Sequence, residues 1–171
     1  MLLGSGFGSQ GGADMLSSDI DGDGDNDVIT SLAAHGFGLA WFEHLRDEHG
    51  TITFKRHLIL SESKDEKLAG VQFGELHALA LHDMNGDGLP DIVTGKRWWS
   101  HGAQGDPEPG RPAVLYWLEL VRENESVRFL PHLVDDNSGV GTQVVVGDLN
   151  GDKRPDILVG NKRGAFVFLQ R

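Results

Sequence analysis

The sequence predicts an all-β chain built from one antiparallel four-stranded unit that recurs. Three observations carry this reading. First, one acidic loop occurs three times: Asp19-Ile20-Asp21-Gly22-Asp23-Gly24-Asp25-Asn26-Asp27, Asp83-Met84-Asn85-Gly86-Asp87-Gly88-Leu89-Pro90-Asp91 and Asp148-Leu149-Asn150-Gly151-Asp152-Lys153-Arg154-Pro155-Asp156. These loops one, two and three start 64 and 65 residues apart. Second, each follows a short apolar stretch and precedes a β-branched run, namely Val28-Ile29-Thr30, Ile92-Val93-Thr94 and Ile157-Leu158-Val159. Apolar run, polar turn, apolar run reads as a β-hairpin. Third, Trp41-Phe42-Glu43 is echoed by Trp117-Leu118-Glu119 and more weakly by Phe168-Leu169-Gln170. Phe54-Lys55-Arg56-His57-Leu58-Ile59 is likewise echoed by Phe129-Leu130-Pro131-His132-Leu133-Val134.

Each unit therefore has a strand before the acidic loop, a strand after it, a Trp strand and a His strand. Two units are complete, and the third reaches its Trp-strand equivalent. Repeated four-stranded units predict β-propeller-type blades, about 2.75 of them in this chain. A β-sandwich is the alternative, but it does not require one loop in one place three times. The organisation expected is a flexible Gly-rich N-terminus over 1–12 and a repeat domain over 13–171. Within the domain come a blade at 13–60, a linker at 61–75, a blade at 76–135 and a partial blade at 140–171. Spacing locates two insertions. One is the charged linker, read as able to carry a helical turn, and the other is the Gly/Pro-rich stretch from Lys96 to Pro112. Known propellers have about four to eight blades, so ring completion by further blades or another copy is expected.

Composition narrows the function. Among 171 residues, 15 Lys and Arg stand against 26 Asp and Glu, a formal net charge of −11. That balance argues against a nucleic-acid or anionic-membrane partner. No apolar run is long enough to span a membrane. There is no Cys, which excludes disulfides, thiolate nucleophiles and zinc–cysteine sites. Met1 to Gly4 opens with neither the cationic start nor the apolar core of a signal peptide, so a longer protein is expected. Gly is over-represented, at 24 residues, and marks many tight turns.

The acidic loops carry the chemistry. Oxygens at positions 1, 3 and 5 of a tight loop converge on one point, position 7 offers a carbonyl and position 9 another carboxylate. This is the opening half of the oxygen-ligand logic of a calcium loop. Loop one offers the side chains of Asp19, Asp21, Asp23 and Asp27 with the Asp25 carbonyl. Loop two offers Asp83, Asn85, Asp87 and Asp91 with the Leu89 carbonyl. Loop three offers Asp148, Asn150, Asp152 and Asp156 with the Arg154 carbonyl. About three Ca²⁺ sites result, and filling them takes the formal charge from −11 to −5. Gly22, Gly86 and Gly151 at position 4, with Gly24 and Gly88 at position 6, suit positive φ. Lys153 replaces the position-6 Gly in loop three, which predicts the weakest site there. Position 12 is Thr30, Thr94 or Val159 inside a β-branched run, not the bidentate Glu of an EF-hand.

The motif D-x-[DN]-x-D-G-x-x-D between two short strands, recurring about every 64 residues, resembles the FG-GAP / VCBS repeat family. Loops one and two match it fully, and loop three departs at Lys153. The resemblance covers nearly the whole chain. It implies the propeller repeats of integrin α subunits and many bacterial secreted proteins, with calcium on the blade loops in a structural role. It implies a ligand-binding or scaffolding module, with carbohydrate or protein as partner. It also admits the propeller domain of a sugar lyase or dehydratase. Extracellular or periplasmic placement is expected, because cytosolic calcium is too low to fill weak loops.

If an active site exists, topology places it opposite the acidic loops, where the far ends of each hairpin's strands meet. In the second unit those ends hold His77, then Lys96, Arg97, Trp98, Trp99 and His101. His35 occupies a similar loop in the first unit. A base, an anion clamp and a stacking platform suit a carbohydrate lyase. Solvated loops and structural histidines account for the same residues, and the reading favours a non-enzyme. The lyase reading requires His77, Lys96, Arg97 and His101 to converge. His57 and His132, at matching positions, are expected to pack between blades.

Overall fold

A computed structural model describes residues 12–98, 101–102, 105–124 and 126–171. Eleven strands form three antiparallel sheets. The first sheet is β1 (Met15–Ser18), β2 (Asp27–Ser31), β3 (Leu39–Arg46) and β4 (Ile52–Leu60), paired in that order. The second is β5 (Leu79–His82), β6 (Asp91–Gly95), β7 (Leu115–Glu123) and β8 (Ser126–Asp135), again in order. The third is β9 (Gln143–Gly147), β10 (Asp156–Asn161) and β11 (Gly164–Phe168). Among the described residues there is no helix, and no sheet closes on itself. The linker over 61–75 holds two turns, Ser63–Glu66 and Lys67–Gly70, and no helical segment. The helical-turn expectation is therefore corrected: Gly70 adopts φ 80°, and extended chain follows it. Most of the N-terminal segment lies outside the described residues, as does Trp99.

Alternation along each strand builds the core in layers. Ile29, Leu39, Trp41 and Ile59 of the first sheet pack on Leu79, Ile92, Leu118, Leu120 and Phe129 of the second. Ala78, Val93 and Leu115 on the other side of the second sheet pack on Val144, Ile157 and Val159 of the third. Loop position 2 joins this pattern. Ile20 and Met84 are buried in the first and second layers respectively. Leu149, their counterpart in loop three, is 54% exposed. The row Ala80, Val93 and Trp117 crosses the second sheet and faces the third. Its counterpart on the third sheet is Val145, Leu158 and Val167 by register. There Val145 is 57% and Val167 51% exposed. The third sheet thus carries the same apolar face with nothing upon it among the described residues.

Register corrects one echo. Trp41 pairs with Ile29 and Trp117 with Val93, each two residues past the loop's last Asp. The matching residue Leu158 pairs with Val167, while Phe168 pairs with Ile157. The third-unit echo is Val167-Phe168-Leu169, one residue earlier than the aromatic pattern suggests. A ring is not demanded at Val167, since that side of the sheet is uncovered. The repeated histidines each stack within their own sheet, and His57 also borders a cavity shared with Val127 and Phe129 of the second. His57 stacks on Trp41 of its own sheet at 4.2 Å, and His132 on Trp117 at 4.1 Å. Each then bonds a neighbouring carboxylate at 2.7 Å, Glu43 or Glu119. The cross-strand pairing Trp41–His57 and Trp117–His132 makes these stacks intra-sheet contacts.

Candidate functional site

The three acidic loops share one backbone network. The position-1 carboxylate accepts from the amides at positions 4 and 6. These bonds are Asp19 from Gly22 and Gly24, Asp83 from Gly86 and Gly88, and Asp148 from Gly151 and Lys153. Position 3 accepts from the amide at position 5, as in Asp21 from Asp23, Asn85 from Asp87 and Asn150 from Asp152. Position 5 accepts from the amide at position 7, as in Asp23 from Asp25, Asp87 from Leu89 and Asp152 from Arg154. This ladder of Asx turns needs positive φ where the chain doubles back. Position 6 supplies it at Gly24, Gly88 and Lys153, with φ 96°, 87° and 67°. Lys153→Gly is therefore expected to stabilise the chain by up to about 1 kcal/mol, read by urea denaturation.

Position 9 differs from the rest. Asp27, Asp91 and Asp156 are buried, at 1%, 0% and 0% exposure. One oxygen of each accepts from the position-2 amide: Ile20 at 2.9 Å, Met84 at 2.9 Å and Leu149 at 2.8 Å. The other accepts from the third strand or its continuation: His44 at 2.8 Å, Leu120 at 2.8 Å and Gln170 at 3.0 Å. Each carboxylate thereby ties its loop to the third strand of its own sheet. A further tie crosses between sheets. Arg122 on β7 donates to the Ile20 and Asp19 carbonyls of loop one, and Gln170 donates to the Met84 carbonyl of loop two.

The donor set fits a hard cation best in loop one. There Asp19, Asp21 and Asp27 each bring a carboxylate oxygen within 4.8 Å of the others. Burial raises the Asp27 carboxyl, and the charges of Asp21 and Asp23 add to it, against two amides that lower it. In loop two the same causes, burial foremost with Asp87 and Asp83 adding, push Asp91 up to about 6. A cation among such carboxylates favours their charged forms. The position-7 residues Asp25, Leu89 and Arg154 all sit in this ladder as amide donors. Loop three carries its own counter-charge: the Arg154 guanidinium donates to Asp152 at 2.8 Å.

The opposite end of the second sheet gathers a second cluster. Loop two closes one end of the β5–β6 hairpin, so His77 and Lys96–Arg97 flank the other. Glu75 organises them. It is buried with φ 59°, its amide donates to the Gly36 carbonyl at 2.7 Å, and its carboxylate accepts from Lys96 at 3.1 Å. Lys96 is itself buried, so its charge is spent on Glu75 and does not face solvent. Arg97 reaches further and donates to His35 Nδ1 at 2.8 Å, which makes that nitrogen an acceptor. His101 Nδ1 lies 3.1 Å from Asp106 Oδ1, while the His101 amide donates to Asp106 Oδ2 at 3.3 Å. The His35 ring stands 4.7 Å from that of His101 and 5.1 Å, edge-on, from that of His77. Burial, then the charge of Arg97 and the proximity of His35, lower His77 to about 4 and keep it neutral at pH 7.

His77, Arg97 and His101 thus lie in one cluster with His35. Lys96 belongs to its foundation. Glu75 and Asp106 are not among the residues singled out from sequence. Asp106 lies in the Lys96–Pro112 insertion and Glu75 in the linker, and neither segment has a periodic pattern to place it. Trp98 turns away to donate to the Ser138 carbonyl at 3.1 Å, with Arg163 over its ring at 4.3 Å. Beside it a cavity of about 260 Å³ is bordered by Arg97, Trp98, Thr142 and Asn161.

No curated protein matches the chain. A family model described as an FG-GAP-like repeat matches residues 83–159. The matched segment runs from position 1 of loop two to position 12 of loop three, one full repeat period with the sheet and loop geometry set out above. Residues 83–159 thus carry an FG-GAP-like repeat.

Proposed function

We propose that the chain is a calcium-stabilised β-propeller-type repeat module that works outside the cytoplasm, in ligand binding or scaffolding. The observation that carries this reading is the turn network shared by all three loops, together with the convergence of the Asp19, Asp21 and Asp27 carboxylates in loop one. In loop one, Asp19, Asp21 and Asp27 hold the ion with Asp23, and bound Ca²⁺ supplies the charge that four clustered carboxylates lack. The equivalent residues of loops two and three do the same. The three sheets are then two full blades and a partial one. The row Val145, Leu158 and Val167, exposed at both of its outer residues, supports a further blade seated on the third sheet, from additional chain or a second copy. Extracellular or periplasmic placement follows from mass action, since weak sites of roughly 10⁻⁴ to 10⁻³ M fill only where calcium is abundant. Carbohydrate or protein is the ligand class in keeping with this family resemblance.

Equilibrium dialysis against calcium tests this reading. Two ions are expected, the tighter in loop one with its extra carboxylate, and a third bound more weakly because Arg154 already neutralises Asp152. Lys153→Gly tightens only the third. No bound calcium at millimolar concentration overturns the reading. A second reading, the propeller domain of a sugar lyase or dehydratase, is favoured by one observation: His77, Arg97 and His101 come together with His35 and Asp106 at one mouth. It requires a solvent-facing imidazole to act as base, a role His101 fits through the Asp106 carboxylate behind it.

A further inference from the structure

The geometry points to a second kind of metal site, for one borderline divalent ion of the zinc type, held by His35, His101 and Asp106 on the face opposite the acidic loops. Two separate stretches of chain bring these groups together: the β2–β3 connection carries His35, and the β6–β7 insertion carries His101 and Asp106. One donor atom from each lies within 4.8 Å of the other two. His101 Nδ1 is 3.1 Å and His35 Nδ1 3.9 Å from the same oxygen, Asp106 Oδ1. Ligand atoms at about 2.0–2.1 Å around a tetrahedral ion stand roughly 3.4 Å apart, and the two observed separations bracket that value. The Asp106 side chain is fully buried, and the His101 amide holds its other oxygen, so Oδ1 is aimed. Two imidazoles and one carboxylate select zinc-like ions over calcium, in contrast to the all-oxygen loops. His77 stands beside the set with a buried Nε2 that has no hydrogen-bond partner among the described residues.

Arg97 is the group that opposes a cation here, because its Nη2 lies 2.8 Å from His35 Nδ1. It has another place to go. Arg97 Nε and Glu75 Oε2 are both buried without a hydrogen-bond partner among the described residues, and they lie 3.8 Å apart. A small movement of the guanidinium toward Glu75 closes that pair and releases the His35 lone pair. Glu75 is fixed for this by Lys96 and by its backbone bond to Gly36, next to His35. Arg97 Nη2 also stands 3.6 Å from Asp106 Oδ1, so ion and guanidinium compete for His35 Nδ1 and for that oxygen, and Glu75 receives the arginine when the ion wins.

The test uses the full chain kept in millimolar Ca²⁺ and titrated with ZnCl₂, then with CoCl₂, counting metal retained after desalting. One zinc per chain is expected, undisplaced by calcium, and the cobalt form should show the visible absorption of low-coordinate nitrogen and oxygen ligation. His35→Ala and His101→Ala each lower zinc affinity by about 100-fold or more, since even outer-shell losses reach 10–100-fold. Both side chains are about half exposed, so the variants keep the wild-type melting curve in calcium. Glu75→Gln weakens zinc binding while leaving every ligand in place. No zinc retained, zinc displaced by calcium, or equal retention by the His35→Ala/His101→Ala double variant overturns the site.

Discussion

Removing calcium lowers the melting temperature of this chain by about 10–20 °C. Each site filled at 100 times its dissociation constant adds about 2.7 kcal/mol to the folded state. Two well-formed loops then contribute about 5 kcal/mol, and a chain of this length shifts by roughly 2–4 °C per kcal/mol. The measurement is a pair of thermal scans, one in chelator and one in about 10 mM Ca²⁺, which is 100 times a dissociation constant of roughly 10⁻⁴ M. Magnesium restores only part of the loss, because it prefers a smaller octahedral shell and keeps its waters. Identical scans in calcium and chelator remove the structural role of the ion.

Asp91→Ala destabilises the fold by about 2–6 kcal/mol, and does so with or without calcium. The Asp91 carboxylate is buried and accepts the Met84 and Leu120 amides, one on each oxygen. Alanine leaves both donors unmet in the interior, at about 1–3 kcal/mol apiece. Asp91→Asn keeps one acceptor and loses about half as much. Asp87→Asn, at an exposed position in the same loop, is the comparison: it weakens the fold in calcium and leaves it nearly unchanged in chelator. Urea denaturation of the three variants in both conditions separates the two roles. An Asp91→Ala variant as stable as the parent in chelator contradicts the assignment of that carboxylate as a tie between loop and strand.

The hairpins were legible because their signals are local. A short apolar or β-branched run on either side of an Asp- and Gly-containing loop places β1–β2, β5–β6 and β9–β10 without any knowledge of packing. The Trp and His strands were legible through repetition, and their cross-strand register bears that out at Trp41–His57 and Trp117–His132. What sequence conceals is what depends on a neighbour. The position-9 aspartates read simply as further ligands alongside positions 1, 3 and 5, and their burial follows from a third strand that arrives 17, 29 or 14 residues later. Glu75 and Asp106 are likewise set by contacts across long separations in chain, Glu75 with Lys96 and Asp106 with His35. The misplaced echo at Phe168 has the same origin. The aromatic demand at that row comes from a covering sheet, which the third sheet lacks.

Anomalous diffraction from crystals grown in calcium is the most direct measurement of the central claim. Peaks are predicted at loops one and two, among Asp19, Asp21 and Asp27 and among Asp83, Asn85 and Asp91, with a weaker third peak beside Asp148. Featureless density at all three loops, with the position-1 and position-3 side chains turned apart, contradicts it.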